Sequence, residues 1–189
     1  MCIRDRLYLE ANGYVELPND FWARGAGDPA EFSVARLPSA AVTLPVGPGA
    51  YGYYSGTQLA NVFDLGEYGR RSDAGQSPLW RGYRLSADEA FHRDVMFALK
   101  NDPYIDCALF HAAYNRSPLE QFAARFARLE RLGLVAVEGE RVRLTTKGRL
   151  CVEEIAALFR HPAIASAADA AQPRLQKHNF APTYPVAEW

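Results

Sequence analysis

Apolar positions recur at helical spacing through the second half of the chain, and they alternate in shorter stretches elsewhere. Ser86-Ala87-Asp88-Glu89 has the spacing of a capping box, in which the hydroxyl accepts from an exposed amide and the glutamate reaches back to the cap. A helix is predicted from there to about Lys100, with Phe91, Val95 and Ala98 or Leu99 on one face. Asn101-Asp102-Pro103 stops it, because the residue before a proline is driven out of helical conformation. A second helix is predicted over residues 106–114. Ser117-Pro118-Leu119-Glu120 repeats the capping signal with proline at the first helical position, and Phe122, Phe126 and Leu129 recur at helical spacing up to Gly133. The string "LVAVEGERVRL" alternates on both sides of Glu138-Gly139-Glu140, which predicts a two-stranded hairpin. "TTKGRLCVEEIAALF" closes with a helix carrying Leu150, Ile155, Leu158 and Phe159 on one side. Three helices, a hairpin and a closing helix describe a winged-helix-like domain.

The first half patterns differently. Residues 7–12 before Gly13 read as the last turn of a helix and its left-handed cap. "YVEL" is a short strand stopped by Pro18, and residues 37–56 alternate weakly before running into the glycine-rich "VGPGAYGYYSG". Helix, strand, loop, strand and glycine loop is what the tail of a βα barrel or an open α/β sheet leaves. The turn-rich "LGEYGRRSDAGQSP" reads as a linker, and residues 163–189, alanine-rich and then proline-bearing, as a disordered tail. "MCIRDR" resembles the in-frame translation of a transposon end used in sequencing libraries, so residues 1–6 are expected to be an adapter artefact and the natural chain to extend upstream. The expected division is therefore 1–6 artefact, 7–78 barrel tail and linker, 79–162 winged-helix-like domain and 163–189 tail.

At 49% hydrophobic and 23% charged residues, the 189-residue chain can bury a core in one or two small domains. A net charge of −1 gives no global attraction to nucleic acid or anionic lipid, so such a partner needs a local patch. With no bilayer-spanning apolar run, membrane association is not expected and a cytoplasmic location is. Cys2 lies in the suspected artefact, and Cys107 and Cys151 stand far apart, so the cysteines frame neither a disulfide scaffold nor a complete metal site.

Gly47, Gly49 and Gly52 allow backbone amides to approach an anionic or adenosyl ligand, although such clusters also make plain turns. Tyr51, Tyr53 and Tyr54 either line a pocket for a flat ligand or pack on a helix. Cys107 and His111, four apart on a helix, share a face and supply at most half a metal site. His92 and His161 read as packing or capping residues, and Glu153-Glu154 as solvated surface. From Arg116 to Arg149 eight basic residues face four glutamates, a local excess that suits phosphate contact or a protein surface.

Several stretches resemble one family. "SPLWRGYRLSADEAFHRDVMFALKND", "LERLGLVAVEGERVRLTTKGRLCVEEIAALF" and, less closely, "LPVGPGAYGYY" are similar to the C-terminal half of oxygen-independent coproporphyrinogen III oxidases, which are radical S-adenosylmethionine enzymes. The resemblance implies an α/β plus α+β fold: the C-terminal remnant of a partial (β/α) radical SAM barrel followed by a helical winged-helix-like domain. It implies that Gly47, Gly49, Ala50 and Tyr51 border an S-adenosylmethionine pocket, and that Phe32 and Ser33 match positions near a second one, where "FSVARLPS" departs from the family's pattern. It further implies a 4Fe-4S cluster held by a C-x-x-x-C-x-x-C triplet that this sequence lacks, so the chain alone is expected to be inactive. The implied partners are a tetrapyrrole or other small-molecule substrate, the missing N-terminal half of the barrel, and a reductase or flavodoxin-type electron donor. Related methyltransferases and haem-degrading enzymes share these features. An interaction or DNA-binding winged helix stands as the alternative of a different class, with nucleic acid not expected.

Overall fold

The computed structural model describes residues 3–17, 21–24 and 42–164. Helix α1 (Ile3–Ala11) leads through Gly13 into an antiparallel hairpin of β1 (Tyr14–Glu16) and β2 (Trp22–Arg24). Gly13 has φ 77°, as the cap reading of residues 7–13 expects. Phe32, Ser33 and residues 165–189, and with them the second-cofactor and disordered-tail readings, lie outside the described residues.

The glycine segment opens a sheet. Strand β3 (Tyr51–Tyr54) turns through Ser55-Gly56 into β4 (Thr57–Asn61), and β4 pairs with β5 (Leu79–Arg84), giving the order β3-β4-β5. Every strand pair among the described residues is antiparallel. The stretch read as a linker contains α2 (Leu65–Asp73), started by Asp64, whose side chain accepts from the Glu67 amide. Because β5 is hydrogen-bonded to β4, the sheet straddles the expected boundary at 78/79.

The rest packs around α3 (Ala87–Asn101). Its capping box forms as read: Ser86 Oγ accepts from Glu89 N, and Glu89 accepts from Ser86 N. After it come β6 (Ile105–Asp106), α4 (Cys107–Tyr114), α5 (Pro118–Gln121), α6 (Ala123–Arg131), the hairpin β7 (Val135–Glu138) and β8 (Arg141–Leu144), α7 (Thr146–Arg149) and α8 (Val152–Ala157). Strand β6 adds to the hairpin in the order β6-β8-β7. Phe91, Val95, Ala98 and Leu99 are buried as their spacing predicts, against Phe110, Phe122, Phe126, Ile155 and Phe159.

Two predicted helices are each broken. The helix expected from Pro118 to Gly133 divides at Phe122, whose φ/ψ of −119°/30° is not helical. The closing helix divides between Arg149 and Val152, and the phase slip leaves Leu150 and Leu158 more than half exposed while Ile155 and Phe159 stay inside. No helix among the described residues is long and apolar enough to cross a membrane.

Candidate functional site

The glycine loop before β3 is held by two side chains. Asn61, 1% exposed, donates from Nδ2 to Pro45 O at 3.0 Å and Gly47 O at 2.9 Å, and the Tyr68 hydroxyl accepts from Gly47 N at 3.0 Å. Gly47 and Gly49 have φ of 102° and 68°, and a Cβ on Gly49 would lie 2.9 Å from the Phe63 ring. The loop's amides have internal partners: Gly49 N donates to Val62 O at 2.8 Å and Ala50 N reaches Gly47 O at 3.4 Å. An amide cradle for an anion is therefore not what Gly47, Gly49 and Ala50 form here. What the loop presents outward is aromatic. Tyr51 is exposed, in edge contact with Phe63 at 6.2 Å, and Phe63 meets Trp80 of β5 at 5.6 Å. Arg81 lies over the Trp80 ring at 3.3 Å, completing an exposed aromatic cluster whose rings meet edge to face. Asn61 Oδ1, buried behind the loop, has no hydrogen-bond partner.

The three loop tyrosines divide by burial: Tyr53 is buried under the Arg93 guanidinium, 4.1 Å from its ring, while Tyr51, two residues before it at the start of β3, and Tyr54 on the opposite face are exposed. Arg93 also reaches Gln58 Oε1 at 3.3 Å, and Tyr83 of β5 donates to Glu89 of α3. These contacts dock the sheet on α3.

A second constellation was not read as one from the sequence. His161 Nε2 donates to Asp88 Oδ2 at 3.1 Å, Arg116 donates to Asp88 Oδ1 at 2.6 Å, and the His92 and His161 rings meet edge to face at 5.1 Å. His92 Nδ1 donates to Phe159 O at 2.7 Å, which leaves the lone pair on Nε2, and burial pushes its pKa below the usual histidine range. The only local signal was Asp88 four residues before His92, on one helical face.

The other candidates separate. Cys107 is in the core, its thiol pushed up by burial, while His111 is exposed, so they do not share a site. Among the described residues no group of three His, Cys, Asp or Glu side chains is placed to hold a metal ion. Most of the basic stretch has internal partners: Arg116 on Asp88, Arg143 on Glu138, Arg149 on Glu16, Lys147 on Leu132 O, Arg125 over Phe122 and Arg141 over Tyr104. Little of the local excess is left for phosphates. Glu153 pairs with Lys100 at the surface.

The capped α3, the β6-β8-β7 sheet and α7 coincide with a known family: residues 85–151 match the HemN C-terminal domain. Over that region the chain is HemN-like. The oxygen-independent coproporphyrinogen III oxidases of Escherichia coli (strain K12) and Salmonella typhimurium are each 29% identical to it over 119 residues, 61% of this chain and 26% of theirs. The chain thus spans about a quarter of the length of the curated relatives it matches. A solved structure of coproporphyrinogen III oxidase (HemN) from Escherichia coli, a radical SAM enzyme, superposes with a TM-score of 0.65 at 23% identity, covering 82% of this chain and 39% of that one. That likeness establishes the mixed helix and strand fold.

Proposed function

We propose that this chain is the C-terminal portion of a radical S-adenosylmethionine oxidoreductase of the coproporphyrinogen III oxidase type, which decarboxylates tetrapyrrole propionates in haem biosynthesis. The collinear identity with coproporphyrinogen III oxidases over 119 residues carries this reading. Residues 85–162 act as the winged-helix-like domain, and the β3-β4-β5 sheet with its glycine loop closes one side of the barrel. The exposed apolar face of that sheet, with Val46, Tyr51, Phe63 and Trp80, supports a partner there: the upstream barrel half of a longer polypeptide.

The cofactors fit this chain unequally. Cys107 is buried and Cys151 partly so, far apart in sequence, and they do not fit a 4Fe-4S cluster, which is assigned to residues beyond this chain. The loop fits the nucleoside end of S-adenosylmethionine, because Ala50 offers close backbone and Tyr51 an exposed ring, whereas the bonded amides do not suit a carboxylate. When bound, S-adenosylmethionine with its cluster supplies the hydrogen abstraction. The loop's task is to wall the nucleoside and exclude water. On its own the 189-residue chain is inactive, and a reductase or flavodoxin-type protein supplies the electron.

The test is anaerobic reconstitution of the full-length gene product, with iron and sulfide analysis and an assay for carbon dioxide and vinyl formation from coproporphyrinogen III. A bound cluster with propionate loss is expected. A protein without a cluster overturns the class, and a cluster-bearing protein that leaves the propionates intact overturns the substrate.

A further inference from the structure

A cavity of about 420 Å³ lies between the β3-β4-β5 sheet, α3 and the residues after α8, away from the glycine loop. That volume is within the range of small-molecule sites. Leu85, Met96, Phe97 and Ile164 give it apolar walls, joined by His92 and Arg160. Its charged lining is two guanidiniums against one carboxylate, Arg93 and Arg160 against Glu89. Glu89 is already engaged, accepting from Tyr83 on one oxygen and from Ser86 N on the other. Arg93 is held by Gln58 and Asp94 and lies over the Tyr53 and Phe97 rings. Arg160 forms no ion pair with any described residue, so among the described residues the cavity has one uncommitted cation beside an apolar interior.

We propose that this cavity binds a small amphipathic carboxylate, its apolar body against Leu85, Met96, Phe97 and Ile164 and its carboxylate on the Arg160 guanidinium. Charge complementarity selects this occupant over a cation, and the apolar walls select it over a free inorganic anion. The site is separate from the glycine loop and independent of the reaction proposed above, so it is expected in the 189-residue chain whether or not a longer protein is an oxidase.

The test is titration of the chain with 4-phenylbutyrate, followed by the imidazole Cε1–H signals of His92 and His161, both of which line the cavity. Saturable shifts of both signals are expected, with a dissociation constant on the order of 1 mM or below. Arg160→Gln, at an exposed position, is expected to weaken binding at least about fivefold, and the uncharged 4-phenylbutyramide to bind at least about fivefold more weakly than the acid. Met96→Trp, which fills the cavity, is expected to abolish the shifts. Absence of saturable shifts, equal affinity for acid and amide, or undiminished binding by Arg160→Gln would each overturn the proposal. The Arg160→Gln and amide comparisons decide the matter even if Met96→Trp does not fold.

Discussion

His161 Nε2 lies 3.1 Å from Asp88 Oδ2, tying the chain beyond α8 to the first turn of α3. The same carboxylate takes Arg116 from the segment between α4 and α5, and that guanidinium holds the Asp88 carboxyl below its usual range. Three segments distant in sequence thus meet on one ionised group. Beneath it His92 packs against the His161 and Phe122 rings and donates to Phe159 O.

This arrangement predicts a stability loss in mild acid. Burial lowers the His92 pKa from its ordinary 6.5, with the Phe159 carbonyl and Asp88 acting against that shift and His161 and Arg125 adding to it. The unfolded chain takes up a proton near pH 6.5 that the fold resists, so this contribution is complete above that pH and is lost as the pH falls below it. Asp88 and Glu89, both held below their usual range, titrate further down. Thermal melts from about pH 8 to about pH 5 are expected to show a falling midpoint, and His92→Gln to flatten the slope over that interval. Parallel slopes for the two proteins would remove His92 from the account.

What the sequence disclosed and what it hid divide by range. The Ser86–Glu89 box, the Phe91/Val95/Leu99 face and the hairpin around Gly139 were legible because each is fixed by residues within a few positions of one another. The pairing of β5 with β4 was not, since the polar stretch between them reads as linker and its short helix has no buried residue to set a period. The glycine loop was legible as a special backbone, but not the use of its amides: Gly49 N is taken by Val62 and Gly47 N by Tyr68, 21 residues away. His161 and Asp88 are 73 residues apart, and no local pattern relates them.

Removing the α3 cap is expected to be measurable without unfolding the chain. Ser86→Ala deletes the acceptor for Glu89 N and, through the box, loosens the carboxylate that also takes Tyr83. A loss of about 1 kcal/mol in urea unfolding is expected. Ser86→Asp, which restores an acceptor at the cap, should recover most of it.

Gly148 is expected to tolerate no side chain. Its φ is ordinary, so the reason is space: a Cβ would sit 1.9 Å from Leu134 O, where α7 begins against the entry to β7. That oxygen accepts from Thr145 N, and Thr145 caps α7 through Gly148 N, so the backbone has no free direction in which to yield. Gly148→Ala should cost about 3 kcal/mol, seen as a lowered urea midpoint with the slope unchanged. A midpoint within error of the parent would mean that α7 can shift as a unit.

Asn61 gives the glycine loop its shape, and the loss of its amide should be felt there first. Nδ2 bridges Pro45 O and Gly47 O while Oδ1 stays buried and unpaired, so the side chain serves the loop entirely as a donor. Asn61→Asp replaces both donor bonds with a carboxylate facing two carbonyls, and about 2 kcal/mol of loop stability is expected to go with them. Hydrogen exchange at Gly49 N, which depends on its bond to Val62 O, should accelerate by at least about tenfold while the core amides of Val95 and Phe126 are less affected. In the full-length protein the proposed nucleoside wall then predicts a raised KM for S-adenosylmethionine with cluster content unchanged. If exchange at Gly49 rises and KM does not, the loop is ordered by Asn61 but does not touch the cofactor, and the assignment of Ala50 and Tyr51 to the nucleoside falls.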